Sequence, residues 1–446
     1  MQKKKRLKPA IKKSLKLSVA EGSAYSITDG LGNAYISPFA IAMGASNAQV
    51  SALTSIPNLV APFFQLKTAA VMERFKSRKK IVLVNTFLHA FLWLPILLIP
   101  FLFFDIGPVL LIILFSLSAI VNLFINPVWM SWMGDLVPDD QRGRYFGNRS
   151  VIVGCIGLVV MLLAGFFLDL FSKEQVFIGF AALFILAFVF RLISTYFFKK
   201  MYEPKFVMQK KDEFSFIDFV KKMHKNNFGR YTWYLMLINL VVMIASPFVT
   251  VYLLRELNLS YTWYTLITLA AAFVSLISLP FWGKWTDKFG NVRIMKITGM
   301  LLPVVPALWM VSSSVYYLLA IQIVSGFVWA GFNLSTGNFI FDAVSREKRA
   351  ICVSYVNILV GIGIFLGATI GGVLTTSVHI SFMSVFMLVF LVSAVLRLVV
   401  SATFLPWIKE VRVASDKPFW SVFGLKHGNI PHGFHHHMIP AEKKMR

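Results

Sequence analysis

Long apolar runs separated by short polar segments make up most of the chain. A helix needs about 20 mostly apolar residues to cross the hydrocarbon core of a bilayer. The pattern predicts twelve such helices, at roughly 19–43, 49–71, 80–103, 108–134, 146–168, 175–198, 229–254, 261–283, 292–312, 315–341, 352–375 and 380–406. An outer-membrane barrel would show short alternating segments instead, and is excluded. Residues 199–228 are the longest internal polar stretch. Within it, Phe216, Val220 and Met223 share one helical face, with Lys221, Lys222 and Lys225 beyond it. That arrangement predicts an amphipathic helix in the membrane interface, linking two halves. The expected organisation is a basic arm at 1–18, a six-helix bundle at 19–198, a linker at 199–228, a second six-helix bundle at 229–408 and a tail at 409–446.

Composition narrows the class. Of 446 residues, 57% are hydrophobic and only 14% are charged, against about 25% charged in a soluble domain. A soluble globule is excluded, and an aromatic content of 15% excludes disorder. The net charge of +24 raises nucleic acid as a partner. Its distribution argues for no nucleic acid, because lysines and arginines cluster between apolar runs as the positive-inside rule requires. Basic clusters follow the second run (Arg74 to Lys80), the eighth (Lys284, Lys288, Arg293, Lys296) and the tenth (Arg346 to Arg349). The opposite side offers only Lys173 and Arg255. A multi-pass protein of the cytoplasmic membrane, with both termini cytoplasmic, is expected. The basic start lacks a clean apolar segment, so no cleavable signal peptide is expected. Cys155 and Cys352 suggest neither a disulfide nor a redox pair.

The halves repeat at an offset near 207 residues. Ser37-Pro38-Phe39 recurs as Ser246-Pro247-Phe248, Asn126 as Asn333, Asp135 as Asp342, and Arg142 as Arg349. Gly154, Gly165 and Arg191 recur as Gly361, Gly372 and Arg397. Two six-helix halves in the same orientation form the parallel-repeat plan of secondary transporters, with substrate bound between the halves. The segment Gly283-Lys284-Trp285-Thr286-Asp287-Lys288-Phe289-Gly290-Asn291-Val292-Arg293 is similar to the G-x-x-x-D-[RK]-x-G loop motif of the major facilitator superfamily. Over about 19–406 the chain resembles that superfamily. The resemblance implies an all-α integral membrane fold, two six-helix bundles related by a pseudo-twofold axis, and a monomer. It also implies that the motif latches one side of its half. Gly283 would allow close helix approach, Gly290 a tight turn, and Asp287 would face a helix N-terminus. The equivalent first-half loop offers Glu73, Arg74, Arg78 and Lys79 without the glycines. Asp135 with Arg142, and Asp342 with Arg349, look like paired capping loops that rearrange as the halves rock.

The first span is the most polar. Ser26, Asp29, Asn33 and Ser37 recur every three or four residues and so share a face, with Tyr25 beside it. A membrane carboxylate is costly unless it is paired or faces water, so this stripe is expected to line a cavity. Asp29 is the candidate binder of a proton, a cation or a cationic substrate, against the plainer reading of a helix–helix hydrogen-bonder. Asn239 is its counterpart in the second half. Asn122, Asn126, Asn333 and Trp329 complete the expected substrate set, amides and indoles suiting a polar or amphipathic solute. Glu21 is expected as a gate or surface ion pair, Arg191 and Arg397 as snorkelling residues, and His89 as a core histidine. The tail histidines His432, His435, His436 and His437 could meet Zn²⁺ or Ni²⁺, but with no companion ligand they give no expected metal site. No P-loop, GxSxG or HExxH motif occurs, so neither an enzyme nor a cofactor is expected.

The expected function is secondary active transport of a small solute by alternating access, coupled to H⁺, with membrane lipids as surroundings. Efflux of amphipathic compounds and lipid flipping compete within transport. A non-transporting membrane sensor on the same fold is the reading from another class.

Overall fold

The computed structural model describes residues 9–138, 141–204, 215–345, 348–378 and 381–411, and these are almost entirely helical. The first bundle holds α1 (Pro9–Leu31, resuming at Ile36–Ala42 after a 3₁₀ turn), α2 (Asn47–Gln65), α3 (Arg78–Leu102), α4 (Gly107–Leu136), α5 (Arg142–Leu168) and α6 (Val176–Lys200). The second holds α7 (Asn227–Glu256), α8 (Tyr261–Phe289), α9 (Asn291–Leu308), α10 (Val315–Ala343), α11 (Arg349–Ser377) and α12 (Val385–Phe404). Among the described residues, ten of these are long and apolar enough to cross a membrane. The other two, α1 and α2, bury Ser14, Ser18, Glu21, Ser26, Ser51 and Ser55. A spanning helix can carry such groups only where it faces protein or water rather than lipid.

Local chemistry sets the element ends. Ser46 caps α2 in a reciprocal box with Gln49, directly after Gly44 turns the chain at φ +79°. Ser77, Asn226 and Ser260 cap α3, α7 and α8 through their side-chain oxygens. Gly290, at φ +85°, makes the tight turn between α8 and α9. Three expectations shift. α1 is already helical at Pro9, the first described residue, rather than from near residue 19, so half of the segment read as a basic arm is helix. There Ser14 Oγ accepts from Tyr202 N–H at 2.8 Å, and Leu15 O accepts from the Tyr145 hydroxyl at 2.9 Å. α8 runs on through Phe289, so residues 283–289 of the motif expected as a loop form its last two turns, and residues 291–293 open α9. The linker does contain a helix, Phe216–Lys222, but Phe219 and Met223 bury against Tyr355 and Leu359 of α11 rather than in lipid.

The bundles meet along two seams. Along α2–α11, Ser51 Oγ donates to Ala368 O, and Gly361 and Gly372 lie against Asn58 O and Ser51. Along α5–α8, Gly165 accommodates Thr265. Within the second bundle, Gly363, Gly367 and Gly371 of α11 meet Met236 O, Leu240 O and Ile244 O of α7, so the glycine run there serves close packing.

Candidate functional site

Between the bundles lies a cavity of about 680 Å³. It is lined by α1, α2, α4, α5 and α6 of the first half and by α11 of the second. It runs from the middle of these helices toward the side that carries Pro9 and Val411. On the far side, polar contacts tie the halves together. The Tyr35 hydroxyl donates to Met161 O at 2.6 Å and lies 2.8 Å from Thr265 Oγ1. Arg255 donates to Ala45 O at 2.6 Å and to Asn47 Oδ1 at 3.3 Å. Asp169 accepts from the N–H groups of Tyr261 and Thr262, the first of α8, at 2.8 and 2.9 Å.

A connected polar network forms the wall. Arg149 of α5 pairs with Glu21 of α1 at 3.3 Å and lies over the Trp129 ring at 4.4 Å. The other Glu21 oxygen accepts from Ser194 Oγ at 3.1 Å. Arg191 donates to Ser194 Oγ at 3.4 Å and to Asn122 Oδ1 at 3.2 Å, and stacks on Tyr25 at 4.5 Å. Asn122 Nδ2 in turn donates to the Tyr25 hydroxyl at 2.9 Å. Asn58, Asn126 and Asn357 supply further amides, while Phe115, Leu123, Val360 and Ile364 supply apolar surface.

Tyr25, Asn122 and Asn126 of the expected substrate set therefore line the cavity, and the rest do not. The α1 stripe splits into two faces. Gly22, Ser26 and Gly30 pack on α5, and Ser26 Oγ donates to Val153 O at 2.7 Å. Asp29 is exposed beside that contact, held by Asn33 Nδ2 at 2.7 Å, and is not part of the cavity wall. Asn239 donates to Leu235 O within its own helix at 2.8 Å, Asn333 is exposed on α10, and Trp329 packs against Phe332.

Three further expectations are corrected. Arg191 and Arg397, read as snorkelling, are 2% and 4% exposed and turn inward. Arg397 is met by Ser393 Oγ, Val242 O and Leu302 O. Glu21 is a buried cavity residue, which removes the surface ion pair with the basic loops and leaves the gate. Arg149 was missed altogether. Standing at the start of its apolar run, shortly after Arg142 and Arg144, it carries in sequence only the signal of a helix-end charge. His89 is buried edge-on to Trp93, with ring centroids 6.1 Å apart.

The helix-end residues obey the repeat. Arg142 donates to Gly134 O at 2.6 Å and Arg349 to Phe341 O at 3.1 Å, so each closes a carbonyl eight residues upstream. The first residue of α3, Arg78, pairs with Asp135 at 2.6 Å. The first residue of α9, Asn291, donates to Asp342 at 2.6 Å. Lys288 and Arg293 lie over the Phe289 ring at 5.2 and 5.8 Å, and Asp287 is exposed. Gly283 meets nothing within 4 Å of an added Cβ, so it permits no close helix approach. His432, His435, His436 and His437 lie outside the described residues, as do Asp139, Asp140, Arg346 and Glu347.

Known proteins carry the same architecture. The family model described as Major Facilitator Superfamily matches residues 19–265 and 232–426. The chain belongs to this superfamily and is a multi-pass secondary transporter rather than an enzyme. No curated protein sequence matches it. Among solved structures, the nucleoside transporter NupG is 16% identical with a TM-score of 0.66, covering 90% of this chain and 100% of its own. A D-xylose-proton symporter is 10% identical with a TM-score of 0.69, covering 90% and 98%. A bacterial homologue of the iron transporter ferroportin, in an inward-facing state, is 14% identical with a TM-score of 0.65, covering 91% and 100%.

Proposed function

We propose that this transporter moves a small solute through the cavity by alternating access, that H⁺ is its coupling ion, and that Glu21 takes the proton. The side carrying Pro9 and Val411 is cytoplasmic in this reading, which makes the conformation inward-facing, and the working unit is a monomer. One observation supports the choice of Glu21. It is the carboxylate of the cavity wall, and its two oxygens are divided between Arg149 and the Ser194–Arg191 arm. A proton placed there removes the counter-charge of Arg149 and leaves two cationic side chains facing the cavity. Proton uptake and solute uptake thereby act on one set of contacts, which is what coupling requires.

A second reading makes Asp29 the carrier, since it is exposed with Asn33 as its hydrogen-bond donor. Proteoliposomes loaded with a pH dye distinguish the two. Glu21→Gln should lose solute accumulation driven by a pH gradient yet keep solute exchange, while Asp29→Asn keeps both. The opposite pattern assigns the proton to Asp29. Full accumulation in both variants removes proton coupling through α1.

A further inference from the structure

We infer that the cavity binds an organic anion: a carboxylate or phosphate group held by Arg191 and Arg149, with an apolar body against Phe115, Leu123 and Ile364. This inference rests on the reading that the cavity is the transport site. Arg191 is 2% exposed, lines the cavity, and has no hydrogen-bond partner for Nε. Among the described residues no carboxylate pairs with it. The guanidinium edge is a planar fork that matches carboxylate and phosphate oxygens.

The Trp129 indole N–H is also buried without a partner, on the ring that Arg149 covers. An indole nitrogen can only donate. Two buried, unmatched donors and two cations therefore stand in a wall whose lining carboxylate, Glu21, is already divided between Arg149 and Ser194. Asp29, two turns along α1, is hydrogen-bonded to Asn33 and attracts Arg191 only through space, as Glu21 does, without a direct contact.

The internal repeat supplies a comparison. Arg397 occupies the matching place in the second bundle, and there Ser393 Oγ takes Nε while Val242 O and Leu302 O take the terminal nitrogens. The fold can thus saturate an arginine at this position. In the first bundle it leaves Nε unmatched beside a cavity. The volume of about 680 Å³ suits a drug-sized molecule rather than a bare ion.

The test uses the full chain in detergent, with melting followed against benzoate, benzamide and benzamidine, which share a ring and differ in charge. Benzoate should bind at least tenfold more tightly than benzamide, and benzamidine should not bind. Arg191→Gln should weaken benzoate at least tenfold, Arg191→Lys should restore part of the affinity, and Lys199→Gln, at the end of α6 outside the cavity, should change nothing. Should Arg191→Gln not fold, Trp129→Phe keeps an aromatic ring, removes the donor and should still weaken benzoate. Equal binding of benzoate and benzamide, or full benzoate affinity in folded Arg191→Gln and Trp129→Phe, overturns the inference. Inorganic phosphate and a lysophosphatidate identify the source of the anion: binding of the lysophosphatidate without benzoate or phosphate supports an anionic lipid headgroup. Alternating labelling of Asn126→Cys from the two sides of a vesicle reads transport motion without any ligand. If neither benzoate nor the lysophosphatidate binds while labelling alternates, the anion inference falls and the transport reading stands. If benzoate binds and labelling never alternates, the transport reading falls instead.

Discussion

Glycine in a membrane helix can serve close packing or nothing at all, and this chain holds both cases. A Cβ on Gly367 would lie 1.9 Å from Leu240 O, a backbone atom that cannot step aside. Gly367→Ala should therefore force α11 from α7 and cost about 1–3 kcal/mol, read as a lower melting temperature. Gly283 faces open space although it opens the family motif, so Gly283→Ala should be neutral or gain up to about 1 kcal/mol from helix propensity. Equal effects at the two positions would contradict the packing argument. The ion pair of Arg78 and Asp135 is similarly lopsided, with side chains 1% and 51% exposed. Arg78 also donates to Ser131 O and Pro204 O, tying α3 to α4 and to the end of the first bundle. Arg78→Gln should lower the melting temperature clearly more than Asp135→Asn, because Asp135 can turn to water and the groups around Arg78 cannot.

Helices were legible in the sequence as runs, and their lipid-facing sides as uniform hydrophobicity, because a bilayer demands both. The inward faces were less so. In α1, Ser26, Asp29 and Asn33 fit one helical stripe, yet 100° steps leave neighbouring faces only a residue apart. Packing on α5 claimed Gly22, Ser26 and Gly30, leaving Tyr25 and Glu21 at the cavity. Small residues four apart are a helix-contact signal, and it competed with the polar signal in the same stretch. Arg149 and Arg191 were hard to place for a related reason. Distance from a helix end does not say whether a side chain turns to lipid headgroups or inward, which depends on the aromatic ring it finds. Arg191 found Tyr25 and Arg149 found Trp129. The assignment of Ser26 to packing has a consequence. Ser26→Ala should cost only about 0.6–1.7 kcal/mol, as polar contacts between membrane helices do. Ser26→Leu should displace α1 and lower the melting temperature sharply. A Ser26→Leu protein that melts like wild type while losing solute binding would return Ser26 to the cavity wall.

At the scale of the whole molecule, the two halves are held on one side by contacts between bundles and parted on the other by the cavity. The far-side link at Asp169 is open to analysis because its partners are the first N–H groups of α8, and no side chain has to be ordered to receive them. A carboxylate at a helix N-terminus gains from the exposed donors and from the helix dipole, by about 0.3–1 kcal/mol at an exposed position such as Asp169. That link exists only while the bundles touch on this side. Asp169→Ala should therefore leave each bundle folded and move the equilibrium between them toward opening there. About 1 kcal/mol corresponds to roughly a fivefold change in the ratio of the two states. Thiol labelling can read it, with Cys155 replaced because it is exposed, and Asn126→Cys as the reporter in the cavity. Labelling from the far side should rise several-fold in Asp169→Ala and fall from the side of the termini. Asp169→Asn should lie between, since its amide oxygen can still accept one of the two bonds. Arg255→Gln removes the parallel link to Ala45 and Asn47 at the other edge of the same closure, so the double variant should exceed either single change. Unchanged labelling in the double variant would mean that the seams along α2–α11 and α5–α8 hold the closure without these links, and that the resting state is set by helix packing alone.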